Sequence, residues 1–407
     1  MSKPLAGRHR VSIFGVTGRS GAEALNIVAA ASGSFEIVAL TSNYEVSRLA
    51  NAASMCRAKM AVAADPEAYL HLKDLLASGE TKPGAGDKAV LEAAAISADT
   101  VLVLLPGMAG LGIALRAVTH ARTIAFADPR ALLAGGRLLG DKARANGVTL
   151  RLLGGSALGL GSPAGHVADG AGAAIDELAL VPLENPADAL TLDALSALTA
   201  REIASWPSAE SGYAFDLDDA TKARALAELL ALAVLAPERP KRIGLYRQAP
   251  EIVRPPPLSG VMTLADGRAF CTVLADASPD ERLAAAIRML LLPDQRSDHV
   301  SGHELSETEL TSLIPLDPAR YPLLSITQSV LLQPSAAAVV WQAAYDIAAA
   351  GFIDKSIGFL DIARVVTESL GAAGREGLIR EPLDVAAIEA TDLAARELAY
   401  GLLDEVR

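Results

Sequence analysis

The sequence predicts an α/β chain: an N-terminal Rossmann-type, doubly wound parallel sheet, then a central α+β region, then a C-terminal helical region. Three observations predict it. Short β-rich runs alternate with helical stretches up to residue 153, the pattern of parallel strands joined by crossovers. The glycine turn Gly15-Val16-Thr17-Gly18-Arg19-Ser20-Gly21 follows the first run and opens the first helix. Composition then changes twice, at the glycine-rich stretch 154–165 and at the polar stretch 293–317.

Taken in order, residues 11–16 read as a buried strand and 20–31 as a helix with small residues on one face. Strands are expected at 36–40, 59–63, 100–104, 123–127 and 149–153, with helices at 46–58, 66–77, 88–94, 109–119 and 136–146. This gives a dinucleotide-binding domain over 1–153. Residues 154–292 read as a central α+β substrate and dimerisation domain. It contains a strand at 178–183, helices at 190–205, 222–235 and 281–292, and a hairpin over 261–274 signalled by Asp266-Gly267. Residues 293–317 read as a linker, being polar and without an apolar period. Residues 318–407 read as a helical domain with helices near 322–332, 335–350, 359–370 and 384–406.

Composition narrows the function. Half of the chain is apolar (51 %), so sizeable cores are no difficulty, and aromatic residues are scarce at 4 %, which disfavours base-stacking platforms. A net charge of -12 repels phosphate backbones and anionic lipid, so neither nucleic acid nor a membrane is an expected partner. Two cysteines, Cys56 and Cys271, exclude a disulfide framework and suit a reducing cytoplasm. The expectation is a soluble, cytoplasmic protein with a small-molecule substrate that a local basic pocket would allow to be anionic.

The glycine turn carries the strongest signal. Gly15 permits the tight turn, Gly18 lets backbone approach a pyrophosphate, and Gly21 lets the helix pack closely on the sheet. Backbone N–H groups at the helix start then face the anion, with Thr17, Arg19 and Ser20 as side-chain donors. The end of the second strand, Ser42-Asn43-Tyr44-Glu45, has neither an acid at its tip nor a base just after it, so NADP and NAD both remain open. Glu45 suits a ribose diol and Arg48 a 2′-phosphate, although both read first as solvated helix charges. The later loop containing Leu105, Gly107 and Gly110 lies where such domains pass the nicotinamide half, as do Asp128 and Arg130, which read equally well as a helix-capping pair.

These residues resemble 1-deoxy-D-xylulose-5-phosphate reductoisomerase over most of the chain. Ile13–Gly21 looks like that family's cofactor turn, 37–43 its second strand, 123–136 its Asn-Lys-Glu-Ser segment, 260–267 its central hairpin and 357–366 a helix of its C-terminal domain. The resemblance implies an NADPH-dependent oxidoreductase related to isoprenoid biosynthesis, and a homodimer. The family's reaction also uses a divalent metal, and there the match breaks. Asp128-Pro129-Arg130-Ala131 stands for Asn-Lys-Glu-Ser, and the metal-binding Asp-Ser-Glu falls on Gly155-Ser156-Ala157. The substrate-holding Asn-Lys and third metal carboxylate fall on Thr199, Ala200 and Ile203. The family's His-Pro becomes Arg254-Pro255, its basic cofactor residue falls on Tyr44, and the flap looks deleted. A hard cation needs several oxygen donors, so no metal is expected.

Other chemistry is sparser. His299-Val-Ser-Gly-His303-Glu304 has zinc-like spacing if helical, but contains Gly302 and sits in the expected linker. Gly154–Gly165, with Ser156, follows the last strand of the first domain and is a candidate substrate cradle or a plain connection. Lys241, Arg242, Arg247 and Arg254 form a basic cluster, a candidate anion pocket or a solvated loop. Ser156 and Arg254 are the substrate-binding candidates; no catalytic nucleophile is evident. The expected function is a metal-independent NAD(P)-dependent oxidoreductase acting on a small polar substrate of its own. The alternative is a non-catalytic dinucleotide-binding paralogue with a regulatory or sensing role.

Overall fold

The computed structural model describes residues 8–31, 33–153, 174–182, 185–206, 216–236, 239–249, 258–274, 279–292 and 300–406. They fall into two compact units. The first comprises 1–131, 139–153 and 283–297, and the second 132–138, 154–282 and 298–407.

In the first unit β1 (His9–Phe14), α1 (Arg19–Ala30), β2 (Phe35–Ser42), α2 (Val46–Cys56), β3 (Met60–Ala63), α3 (Tyr69–Leu75) and β4 (Lys82–Ala85) follow one another. They continue into α4 (Gly86–Ala94), β5 (Ala98–Val103), α5 (Gly110–Ala117), β6 (Ala121–Phe126), α6 (Pro129–Asn146, of which 132–138 belong to the second unit) and β7 (Thr149–Leu152). The strands form one sheet in the order β4-β3-β2-β1-β5-β6-β7, and every pairing is parallel. Val11, Ile13 and Phe14 of β1 and Leu102 of β5 are fully buried, as strands covered on both faces must be. The strand order reverses between β1 and β5, so the crevice beyond their carboxyl ends is where ligands bind in such sheets.

β4 was not expected: Lys-Pro-Gly-Ala has poor strand propensity, but as an edge strand it tolerates a proline. Helix α6 begins seven residues earlier than 136. Asp128 caps it, accepting from the Arg130 N–H at 2.9 Å, and Pro129 occupies its first position. At Gly136 the helix is interrupted by a backbone conformation of φ 43°, where a Cβ would lie 2.6 Å from the Ser335 side chain.

The second unit starts with β8 (Ile175–Leu180), α7 (Leu192–Ser196), α8 (Ala200–Ala204), α9 (Leu217–Ala220), α10 (Ala223–Leu235), β9 (Arg242–Gln248), β10 (Leu258–Leu264) and β11 (Ala269–Leu274). Helix α11 (Pro279–Leu291) is divided between the units. Then come β12 (Val300–Glu304), α12 (Glu307–Ser312), β13 (Leu313–Pro315), α13 (Pro322–Leu331), α14 (Ala336–Ile353), α15 (Asp361–Arg375) and α16 (Val385–Val406). Six strands form a mixed sheet, β12-β11-β10-β8-β9-β13, in which β8 and β9 are parallel. The expected hairpin is present as β10 and β11, with Gly267 at φ 89° in its turn. By length and composition α14 could span a bilayer, but it packs instead against α15 and α16 and buries Trp341 completely.

Three expectations are corrected here. The stretch 190–205 is not one helix: Thr191 caps α7, and Thr199 starts α8 in a reciprocal capping arrangement with Glu202. The basic cluster is not a loop, because β9 contains Arg242 and Arg247; Arg242 and Lys241 lie 2.9 and 3.2 Å from the Asp176 carboxylate. Residues 300–315, expected as linker, supply β12, α12 and β13; β12 is an edge strand of mostly polar residues and β13 an edge strand of only three residues ending in proline, so neither shows an apolar period.

Helix α12 carries a testable charge. Glu309 accepts from the Ser306 hydroxyl and backbone N–H at 2.6 and 2.9 Å, and His303 Nε2 lies 2.8 Å away. The Ser306 bonds, then the His303 contact, pull the Glu309 carboxyl down to about 2. The folded value lies below that of an unfolded glutamate, about 4.3, so its stabilisation is complete above that pH and fades as pH falls toward 2. Glu309→Gln should therefore flatten the acid limb of stability against pH in that window, read from urea midpoints.

Candidate functional site

The glycine turn closes the carboxyl end of β1 against its neighbours. The Gly15 N–H donates to Thr41 O and Thr41 Oγ1, both at 3.2 Å, and Val16 N–H donates to Thr41 O at 2.9 Å. Thr17 Oγ1 and Ser42 Oγ are 2.9 Å apart, so the turn is tied to the end of β2. Gly15 has φ 92°, and a Cβ there would lie 2.8 Å from Leu104 O and 2.9 Å from Leu105 Cδ2. Glycine is thus required twice over at that position, for its conformation and for the close passage of the loop after β5. At Gly21 a Cβ would lie 2.4 Å from both Gly15 O and Val16 O, which is why α1 can approach the turn only with glycine there.

Gly18 stands at the N-cap of α1, and the first intrahelical bond runs from the Ala22 N–H to Gly18 O at 2.9 Å. The N–H groups of Arg19, Ser20 and Gly21 therefore have no acceptor within the helix. No acidic side chain lies in that first turn, so the positive end of the helix dipole is uncompensated from within. Gly18 and Arg19 are exposed, and Thr17 and Ser20 half-buried. The geometry is that of an anion cradle.

Across the crevice, Gly107 has φ 64°, with open space where a Cβ would be. Its N–H donates to Asp128 Oδ2 at 2.8 Å. The Arg130 guanidinium meets the same carboxylate at 2.6 and 3.0 Å. Burial pushes the Asp128 carboxyl up, but the Arg130 bonds and the Gly107 and Arg130 backbone donors outweigh it and hold the group below the ordinary carboxylate range. Asp128 thus caps α6 and also fixes the loop after β5. The structure brings Gly15–Gly21, Ser42, Leu105, Gly107, Asp128 and Arg130 to the carboxyl edge of one sheet; Asn43 and Tyr44 are exposed beyond β2.

Other candidates fare differently. Ser156, Arg254 and the whole of 154–165 lie outside the described residues. The zinc-like spacing needed a helix, but His303 is on strand β12, where i and i+4 are about 13 Å apart; His299 lies outside the described residues. Cys271 Sγ is 3.6 Å from both His303 ring nitrogens, so the sulfur faces the ring rather than one nitrogen lone pair. Burial pushes that thiol up to about 11, which leaves it a poor nucleophile. Thr199 and Ala200 serve the start of α8, and Ile203 is buried there. The long helix of this region is α10, whose buried carboxylate Glu228, 5 % exposed, was missed because its neighbours read as uniformly apolar. Among the described residues, no three His, Cys, Asp or Glu side chains are grouped to hold a metal.

Comparison with known proteins agrees with the fold. The family model for 1-deoxy-D-xylulose 5-phosphate reductoisomerase matches residues 11–136, and that for the DXP reductoisomerase C-terminal domain matches 277–398. The Afipia carboxidovorans 1-deoxy-D-xylulose 5-phosphate reductoisomerase is 28 % identical, over 100 % of this chain and 97 % of its own length. The Zymomonas mobilis enzyme, solved in complex with NADPH, superposes with a TM-score of 0.79 at 26 % identity, covering 98 % of this chain and 99 % of that one. A DOX-P reductoisomerase solved with magnesium shares the fold at a TM-score of 0.76 and 20 % identity, over 98 % of this chain and 99 % of its own.

Proposed function

The chain is a divergent relative of the 1-deoxy-D-xylulose 5-phosphate reductoisomerases, and from that premise we propose that it is an NAD(P)-dependent oxidoreductase that binds NADPH, acting on a small polar substrate of its own without a resident metal. The observation that carries the cofactor half is the crevice between β1 and β5, where Gly15 and Gly21 leave no room for a side chain. The pyrophosphate would lie on the N–H groups of Arg19, Ser20 and Gly21, with Thr17 and Gly18 beside it. Gly107, Leu105, Asp128 and Arg130 would flank the nicotinamide half, and Ser42 and Asn43 the adenosine half. When bound, the nicotinamide supplies the hydride; the protein supplies position and exclusion of water. The Zymomonas relative, solved with NADPH, has the same fold and supports this reading.

The substrate half rests on the sequence. Gly154-Gly155-Ser156-Ala157 offers no carboxylate where the resemblance puts metal ligands, and Arg254 replaces a neutral or weakly basic residue at the expected cleft. A cation held by several carboxylates is the usual means of polarising a ketol, so a chain without them suits another carbonyl or hydroxyl compound. We further infer a division into 1–153, 154–292 and 318–407 joined by 293–317, a cytoplasmic location and a homodimer.

Titration of NADPH into the full chain, with and without magnesium, tests the reading. The expected result is micromolar-range binding that magnesium leaves unchanged. Absence of binding would overturn the cofactor assignment, and magnesium-dependent turnover of 1-deoxy-D-xylulose 5-phosphate would overturn the substrate and metal assignments.

A further inference from the structure

We propose that the Glu45–Arg48 ion pair at the start of α2 lets the cradle accept NADH and NADPH with similar affinity, a proposal that rests on the dinucleotide reading above. The two cofactors differ at one ribose, which carries a free 2′-hydroxyl in one and a 2′-phosphate in the other. In doubly wound sheets that ribose lies just beyond the second strand, where an acid takes the diol or a base takes the phosphate. Strand β2 ends here on Ser42, which is hydrogen-bonded to Thr17 at 2.9 Å, and is followed by the exposed Asn43 and by Tyr44, 76 % exposed. None of the three is charged. The first charges beyond the strand are Glu45, at the N-cap of α2, and Arg48 in its first turn.

These two residues are paired to each other. Arg48 Nη1 donates to both Glu45 carboxylate oxygens, at 2.9 and 2.8 Å, and both side chains are about half exposed. The pair therefore presents an acceptor and a donor side by side with no net charge. A ribose diol can donate to Glu45 while Arg48 stays in place. A 2′-phosphate repels Glu45 and draws the guanidinium toward itself; an exposed ion pair resists that exchange only weakly.

Calorimetric titration of the full chain with NADH and with NADPH at low ionic strength decides the matter. The wild-type dissociation constants should agree within about tenfold. Glu45→Gln should move their ratio about tenfold toward NADPH, and Arg48→Gln about tenfold toward NADH. Added salt should erode the NADPH gain of Glu45→Gln. A wild-type preference beyond tenfold, or a ratio that neither variant moves, overturns the proposal while leaving the cradle assignment intact. If neither cofactor binds, the cradle assignment fails and this proposal with it.

Discussion

Gly21→Ala should destabilise the first unit by about 2–4 kcal/mol and abolish dinucleotide binding. On propensity alone the change is favourable, because alanine in a helix interior exceeds glycine by about 1 kcal/mol. Geometry decides the other way. The added methyl would lie 2.4 Å from Gly15 O, 2.4 Å from Val16 O and 2.5 Å from Val16 C, all of them backbone atoms with no rotamer to yield. Either α1 moves away from β1 or the turn opens, and both displace the N–H groups of Arg19 and Ser20 from the anion. The control is Gly112→Ala in α5, where the new methyl meets nothing within 4 Å. That variant should be neutral, or more stable by up to about 1 kcal/mol, with binding unchanged. Urea midpoints and NADPH titration on the two variants separate close packing from propensity; equal behaviour would show that the crevice does not need glycine at 21.

The same contrast explains what could be read from the residues. The first unit was legible almost throughout, because β1, β2, β5 and β6 are buried on both faces and advertise themselves as apolar runs between helices. Its glycine turn was legible because Gly15 and Gly21 are imposed by backbone contacts that no other residue satisfies. What escaped lies at edges. Strand β4 contains Pro83 and Gly84, and β12 contains Ser301, Gly302 and His303; each pairs on one side only, so neither has to be apolar.

Electrostatic detail escaped for a different reason, since it depends on partners remote in sequence. Asp128 reads as a helix cap, and it is one; that it also anchors the Gly107 N–H across 21 residues follows only from the parallel order of β5 and β6. The cationic cluster at 241–254 reads as an anion pocket or a solvated loop because Asp176 and Glu177, which neutralise Arg242, lie on β8 more than sixty residues earlier. Charge on a sequence shows what needs a partner, and the sheet register decides which partner it finds.

Lys222→Met should destabilise the second unit by about 3 kcal/mol or more. Lys222 precedes α10 in a left-handed conformation, φ 60°, and its side chain is 2 % exposed. Its Nζ lies 2.9 Å from Asp188 Oδ2 and 5.5 Å from the centre of the Tyr321 ring. Asp188 in turn accepts from the Tyr321 hydroxyl and from the Asn185 N–H, so one carboxylate joins the 185–190 turn, the start of α10 and the approach to α13. Burial and the Asp188 charge both push the Tyr321 phenol up, which keeps its proton in place as a donor. Methionine preserves the length and apolar stem of lysine, so the loss measures the charge rather than a cavity. The remaining two donors cannot neutralise the carboxylate in a site only 17 % exposed. Removing that charge as well, in Lys222→Met with Asp188→Asn, should recover about 1–3 kcal/mol of the summed single losses. A double-mutant cycle from denaturation midpoints checks this. Strict additivity would mean that Lys222 acts through its packing, and that the ion pair joins these three segments without stabilising them.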